Sequence, residues 1–157
     1  MKTTTSRRHF LRFLAATSSA LLVSQAAAHH TDSHFEDDAK HHIVYQLNKA
    51  DPRYISHILF SVGEMLRKYG DDIEIVVAVS AEGIHLLGKH PKRAIPRDLQ
   101  EKAASLAAYG VSFHACGNTL KAVRWTERDL LDFAKPVPIG VDDIMQLQEK
   151  GFTYIAW

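Results

Sequence analysis

The sequence predicts an α/β domain of three layers (α/β/α), with helices on both faces of a mostly parallel five-stranded sheet. Three observations carry this. Short apolar runs alternate with stretches of helical periodicity, giving β-α-β-α-β-α-β-α-β along residues 43–157. Such alternation implies parallel strands joined by crossover helices. Residues 73–79, Ile-Glu-Ile-Val-Val-Ala-Val, are apolar almost throughout, as a strand covered on both faces has to be. Finally, the helical stretches are punctuated in the expected places, with Asp51-Pro52 opening one and Gly70, Gly110 and Gly151 closing three.

Each element has its own signal. Residues 43–47, Ile-Val-Tyr-Gln-Leu, read as the first strand. Asp51 is an N-cap and Pro52 a first helical residue. Ile55, Ile58, Leu59, Val62, Met65, Leu66 and Tyr69 then recur at helical spacing, while His57, Ser61, Glu64 and Lys68 fall on the opposite side. After the strand at 73–79, residues 80–97 form a longer connection in which 84–87 make a single helical turn. A helix over 98–109 turns Leu99, Ala103, Leu106 and Ala107 inward, and 111–115 form the third strand. Cys116-Gly117-Asn118-Thr119 leads directly into a helical stretch, and Thr126 to Asp129 resembles a capping box with the shorter acid. Residues 137–139 read as a fourth strand, whose prolines suggest a sheet edge. Residues 141–150 are helical, and 152–156 make a fifth strand.

Composition bounds the rest. The chain has 157 residues, 46% of them apolar and 24% charged, with a net charge of +1. One average globular domain fits these figures, and a field for general nucleic-acid binding does not. The charge is uneven. Residues 1–28 hold Lys2, Arg7, Arg8 and Arg12 and no acid, which leaves 15 basic against 18 acidic residues beyond them, net −3. Ser6-Arg7-Arg8-His9-Phe10-Leu11-Arg12, a modest apolar stretch over 13–23 and Ala26-Ala27-Ala28 form the three parts of an export signal. The start resembles the bacterial twin-arginine signal, with Arg12 in place of the usual Lys. The expectation is cleavage after Ala28, or after Ala26, and a mature periplasmic protein with no membrane anchor, since a span needs about 20 apolar residues. Residues 29–42 are polar and aperiodic and read as a flexible arm. It carries His29, His30, His34, His41 and His42 among Asp32, Glu36, Asp37 and Asp38, a ligand set suited to zinc, copper or nickel but irregularly spaced.

Absent motifs narrow the field: there is no phosphate loop, dinucleotide fingerprint, C-x-x-C, H-E-x-x-H or G-x-S-x-G, so a hydrolase or dehydrogenase would have to use some other arrangement. What remains is the rim where the predicted parallel strands end, which is where open α/β sheets bind ligands. It carries residues 48–51, 80–85, 116–118 and Gly140. Cys116, the only cysteine, stands there at the strand-to-helix switch, where amide N–H groups favour a thiolate. The competing reading is a small apolar residue packed under a helix. Asn48, Glu82, His85, Gly117 and Asn118 line the same rim as candidate anion or ligand contacts. His85 and His90 lie near it, and His114 points to the same side as Cys116.

Residues 42–157 resemble the DsrE/DsrF-like family. The likeness rests on Val44-Tyr45-Gln46-Leu47-Asn48, on the pattern Gly-Val-x-x-x-x-Cys-x-Asn-Thr formed by Gly110, Val111, Cys116, Asn118 and Thr119, and on the tail from Gly140-Val141 through Leu147 to Ile155. The resemblance implies a flavodoxin-like or DsrE-like fold, a trimer or hexamer, no cofactor, and sulfur relay through a persulfide on Cys116 with a donor or acceptor protein. Two alternatives stand beside this sulfurtransferase-like reading. One is a non-enzymatic module that binds a small ligand or partner at the rim. The other is a periplasmic metal-binding protein using the histidine arm.

Overall fold

The structure, a computed structural model, describes residues 39–157. The segment expected to be an export leader and the histidine arm as far as Asp38 lie outside the described residues. The elements run β1 (His41–Leu47), α1 (Pro52–Tyr69), β2 (Ile73–Val79), α2 (Arg97–Ala108), β3 (Ser112–Cys116), α3 (Gly117–Val123), β4 (Ala134–Val137), α4 (Gly140–Glu149) and β5 (Thr153–Ile155), with 3-10 turns at Gly70–Asp72, Ala81–Leu87 and Glu127–Asp129. All strand pairings are parallel, in the order β4-β3-β2-β1-β5. The α/β/α class is therefore confirmed, but the order is not that of flavodoxin, 2-1-3-4-5.

The order follows from the chain's direction. From β1 to β4 each crossover steps the same way across the sheet. Right-handed crossovers of one direction place α1, α2 and α3 on one face. Their apolar residues, Ile55, Ile58, Leu59, Val62, Leu99, Ala103, Leu106 and Leu120, share a core with Ile75, Val77, Phe113 and Ala115. The step from β4 to β5 goes back across the sheet, so α4 covers the other face. There Leu147, Phe152 and Ile144 pack on Val44, Val76 and Ala78. The apolar run at 73–79 is the central strand, and six of its seven residues are buried.

Helix starts behave as the residue types dictate. The Asp51 carboxylate accepts the Tyr54 N–H at 2.8 Å, and Pro52 opens α1. The Asp129 carboxylate takes the Thr126 N–H at 2.7 Å, but the element it closes is a 3-10 turn rather than a helix. Two boundaries move. Strand β1 starts at His41, so His41 and His42 belong to the sheet and not to the arm. Their rings pack on Tyr69 and Phe152, at 4.4 and 5.1 Å between centroids. The fourth strand is Ala134–Val137 instead of 137–139, because β3 pairs Phe113 with Ala134 and Cys116 with Val137. It is an edge strand, which explains how Pro136 is accommodated.

Candidate functional site

Strand parity decides where Cys116 points. Phe113 and Ala115 face the large core. Side chains alternate along a strand, so Ser112, His114 and Cys116 face the α4 side. Loops leaving adjacent strands β3 and β4 then diverge, one to α3 on the first face and one to α4 on the second. Such a divergence opens a crevice at the carboxyl ends of the strands, the usual binding place in an open α/β sheet. Cys116 is the last residue of β3 and the N-cap of α3, at that divergence.

The crevice is narrow by construction. Gly140, the first residue of α4, lies against the thiol: a Cβ there would fall 2.9 Å from Cys116 Cβ and 3.2 Å from Sγ. A Cβ on Gly117 would meet the Val137 and Pro138 carbonyl oxygens at 2.9 Å. Two glycines thus allow the start of α3, the end of β4 and the start of α4 to close around one sulfur.

Cys116 is 7% exposed, and the groups around it are donors. Gly140 N–H donates to Sγ at 3.3 Å. Burial pushes the thiol's pKa up, but the Thr119 hydroxyl and the N–H groups of Thr119, Gly140 and Asn118 together outweigh it, so the pKa lies below its ordinary value. The Thr119 oxygen accepts the Ala81 N–H at 3.1 Å, which leaves the hydroxyl proton free to favour an anion nearby. Ala81 holds a left-handed φ of 47° at that contact. The side chain of this N-cap makes no cap hydrogen bond to the first turn; its one hydrogen bond among the described residues is the one from Gly140.

His114 Nδ1 lies 2.8 Å from an Asp143 carboxylate oxygen, and both side chains are largely buried. This contact pins the first turn of α4 to β3 two residues before Cys116, and with it the Gly140 N–H. The pattern of residues had no signal for Asp143 as that partner, nor for the Gly140 N–H on the sulfur.

The other rim residues divide into separate groups. Gly117 and Asn118 adjoin Cys116 through α3. Asn48 stands at the end of β1, two strands away, which is roughly 10 Å across a sheet. It joins Tyr54 and Gln46, and Gln46 in turn accepts from Tyr154. Glu82 is exposed and ion-paired with Arg93. His85 is buried, with Trp125 against its ring at 5.1 Å. His90 is exposed. Among the described residues no group of three or more His, Cys, Asp or Glu is placed to hold a metal ion.

The family model for the DsrE/DsrF-like family matches residues 16–157. The chain belongs to the DsrE/DsrF-like family. A general association with sulfur relay comes with that membership. Among solved structures, a protein of unknown function from Methanobacterium thermoautotrophicum is similar at a TM-score of 0.67 and 24% identity, covering 74% of this chain and 99% of the other. At that identity the likeness concerns the fold alone. No curated protein matches the sequence. Within this DsrE/DsrF-like fold, the cysteine of the Gly-Val-x-x-x-x-Cys-x-Asn-Thr pattern is the residue at the switch from β3 to α3.

Proposed function

We propose that the protein is an exported sulfur carrier that holds sulfane sulfur as a persulfide on Cys116 and acts as a homo-oligomer in the periplasm. One observation carries the reading: the only cysteine ends a strand at the switch into α3 with the Gly140 N–H on its sulfur, and its pKa lies below the ordinary value. Family membership supports it. In the reaction, the Cys116 thiolate attacks the outer sulfur of a persulfide donor, R–S–SH. The donor's S–S bond breaks and its electron pair leaves on R–S⁻. The new Cys116 S–S bond retains the outer sulfur and its proton. A second thiolate then attacks that outer sulfur and regenerates the Cys116 thiolate, with no external oxidant or reductant. Asn118, Thr119 and Gly140 stabilise the anion at both ends of the cycle.

Alkylation at graded pH, followed by intact mass after exposure to a persulfide donor, tests this. The expected result is a reactivity midpoint below that of a free thiol, about 8.5, and a gain of one sulfur atom that Cys116→Ser loses. A midpoint at or above the free-thiol value with no added sulfur removes the proposal.

Export is read from the leader, Arg7-Arg8 ahead of a weakly apolar stretch and Ala26-Ala27-Ala28. Fractionating cells that make the full chain should recover a periplasmic form whose mass begins at His29, or at Ala27. The Arg7→Lys, Arg8→Lys double variant should stay in the cytoplasm with its leader uncut. Unchanged export of that variant would rule out the twin-arginine route. Self-association is supported by exposed apolar side chains beside the crevice: Ile139 and Val141 flank Gly140, and Met145 lies one turn beyond Val141.

A further inference from the structure

We propose that a second site, at the end of α3 remote from Cys116, binds a dianionic oxyanion, either as a free ion or as the headgroup of a phosphomonoester. The pocket has a volume of about 420 Å³ and is lined by His85, Lys92, Arg93, Ala122, Val123 and Arg124. Three of these residues are cations and none is an acid. Arg93 is paired with Glu82, which leaves Lys92 and Arg124 as the lining cations without a carboxylate in an ion pair among the described residues.

A buried histidine lines the same pocket. His85 is 4% exposed, and its Nδ1 accepts the Lys92 backbone N–H at 3.3 Å. The ring proton of the neutral tautomer therefore resides on Nε2, where no group among the described residues accepts it. No buried side-chain nitrogen or oxygen among the described residues is both sealed from solvent and unpartnered, so Nε2 keeps some access to solvent, and the ring is part of the pocket's lining. A cavity lined by Lys92, Arg93, Arg124 and a buried histidine ring is matched by an oxyanion, which accepts charge-assisted hydrogen bonds from such groups.

The cations are also fixed. Lys92 Nζ is held by the Val123 carbonyl at 2.6 Å and lies 6.0 Å from the Trp125 ring centre. Arg124 caps α3 with a left-handed backbone, φ 58° and ψ 43°, where glycine is the favoured residue. Its guanidinium has no partner among the described residues. The sequence therefore keeps an arginine where its backbone costs stability and its side chain is left available at the pocket.

That cap supplies a test in which misfolding does not intervene, because Arg124→Gly relieves the backbone. Inorganic phosphate and glycerol phosphate are titrated into the full mature chain, with binding read from nitrogen-15 shifts of the His85 ring. Saturable shifts are expected, weakened about tenfold or more by Arg124→Gly, the scale of one lost charge-assisted contact. They should be unchanged by Lys150→Gln, which removes the same charge at the far end of α4. Tighter binding of glycerol phosphate assigns a phosphomonoester; equal binding assigns the free ion. Shifts that never saturate, or that weaken equally in both variants, overturn the proposal. The outcome is independent of whether Cys116 carries sulfur.

Discussion

Replacing Gly140 by alanine is expected to slow alkylation of Cys116 at neutral pH by about tenfold or more and to destabilise the fold by about 1–3 kcal/mol. Both effects have one cause. The added methyl would stand 2.9 Å from Cys116 Cβ and 3.2 Å from Sγ, so α4 has to back away. The Gly140 N–H, now 3.3 Å from the sulfur, moves with it. The thiolate loses a donor, and the closely packed start of α4 loses its fit. His114 and Asp143 hold that turn in place, so the strain is not relieved cheaply. Gly63 is the natural control. A Cβ there meets only Leu106 Cδ2 at 3.9 Å, in the middle of α1. Gly63→Ala should leave the alkylation rate alone and stabilise by about 0.5–1 kcal/mol, the helix preference of alanine over glycine. Urea unfolding and timed iodoacetamide labelling of the two variants check this. An unaltered labelling rate in Gly140→Ala would show that the N–H does not govern the thiol.

The contrast between these two glycines also marks what the sequence reveals. Gly63 interrupts a helix that Ile55, Ile58, Leu59 and Val62 announce by their spacing, and the fold is legible for the same reason. Strand and helix differ in period, and the central strand and the two long helices are strongly patterned. The edges are less so. Ala134–Val137 has little burial and no clear alternation, so the more β-branched neighbours at 137–139 attract the strand assignment. His41 and His42 look like arm residues because their packing on Tyr69 and Phe152 is tertiary. The thiol's place at a strand-to-helix switch is local and readable. Its environment is not: Gly140 acts from 24 residues away, across a parallel crossover that only the strand order fixes. The cationic pocket is hidden in the same way, with Lys92 meeting the end of α3 at Val123, 31 residues on.

Thr119→Val is expected to raise the pH midpoint of Cys116 alkylation towards the free-thiol value and to slow labelling at neutral pH by about tenfold. The swap nearly keeps the volume but removes the hydroxyl. Burial then opposes the thiolate with one fewer group against it. The Ala81 N–H loses its acceptor as well, but Ala81 is exposed and water replaces it, so the cost to the fold is no more than about 1 kcal/mol. Linkage supplies a second, independent readout. The folded thiol has a pKa below that of the unfolded chain, so between the two values the unfolded state binds more protons, and stability rises with pH. The stability of the parent over Cys116→Ala should therefore increase with pH through that window and level off above the unfolded value, about 8.5. It is lost again as pH falls through the folded value. In Thr119→Val the window narrows and the increase shrinks; in Thr119→Ser, which keeps the hydroxyl, both should persist. Urea titrations under reductant across this range measure the difference directly. A parent whose advantage over Cys116→Ala stays flat with pH would mean that the fold does not favour the thiolate. The donors around the sulfur would then serve only to pack it.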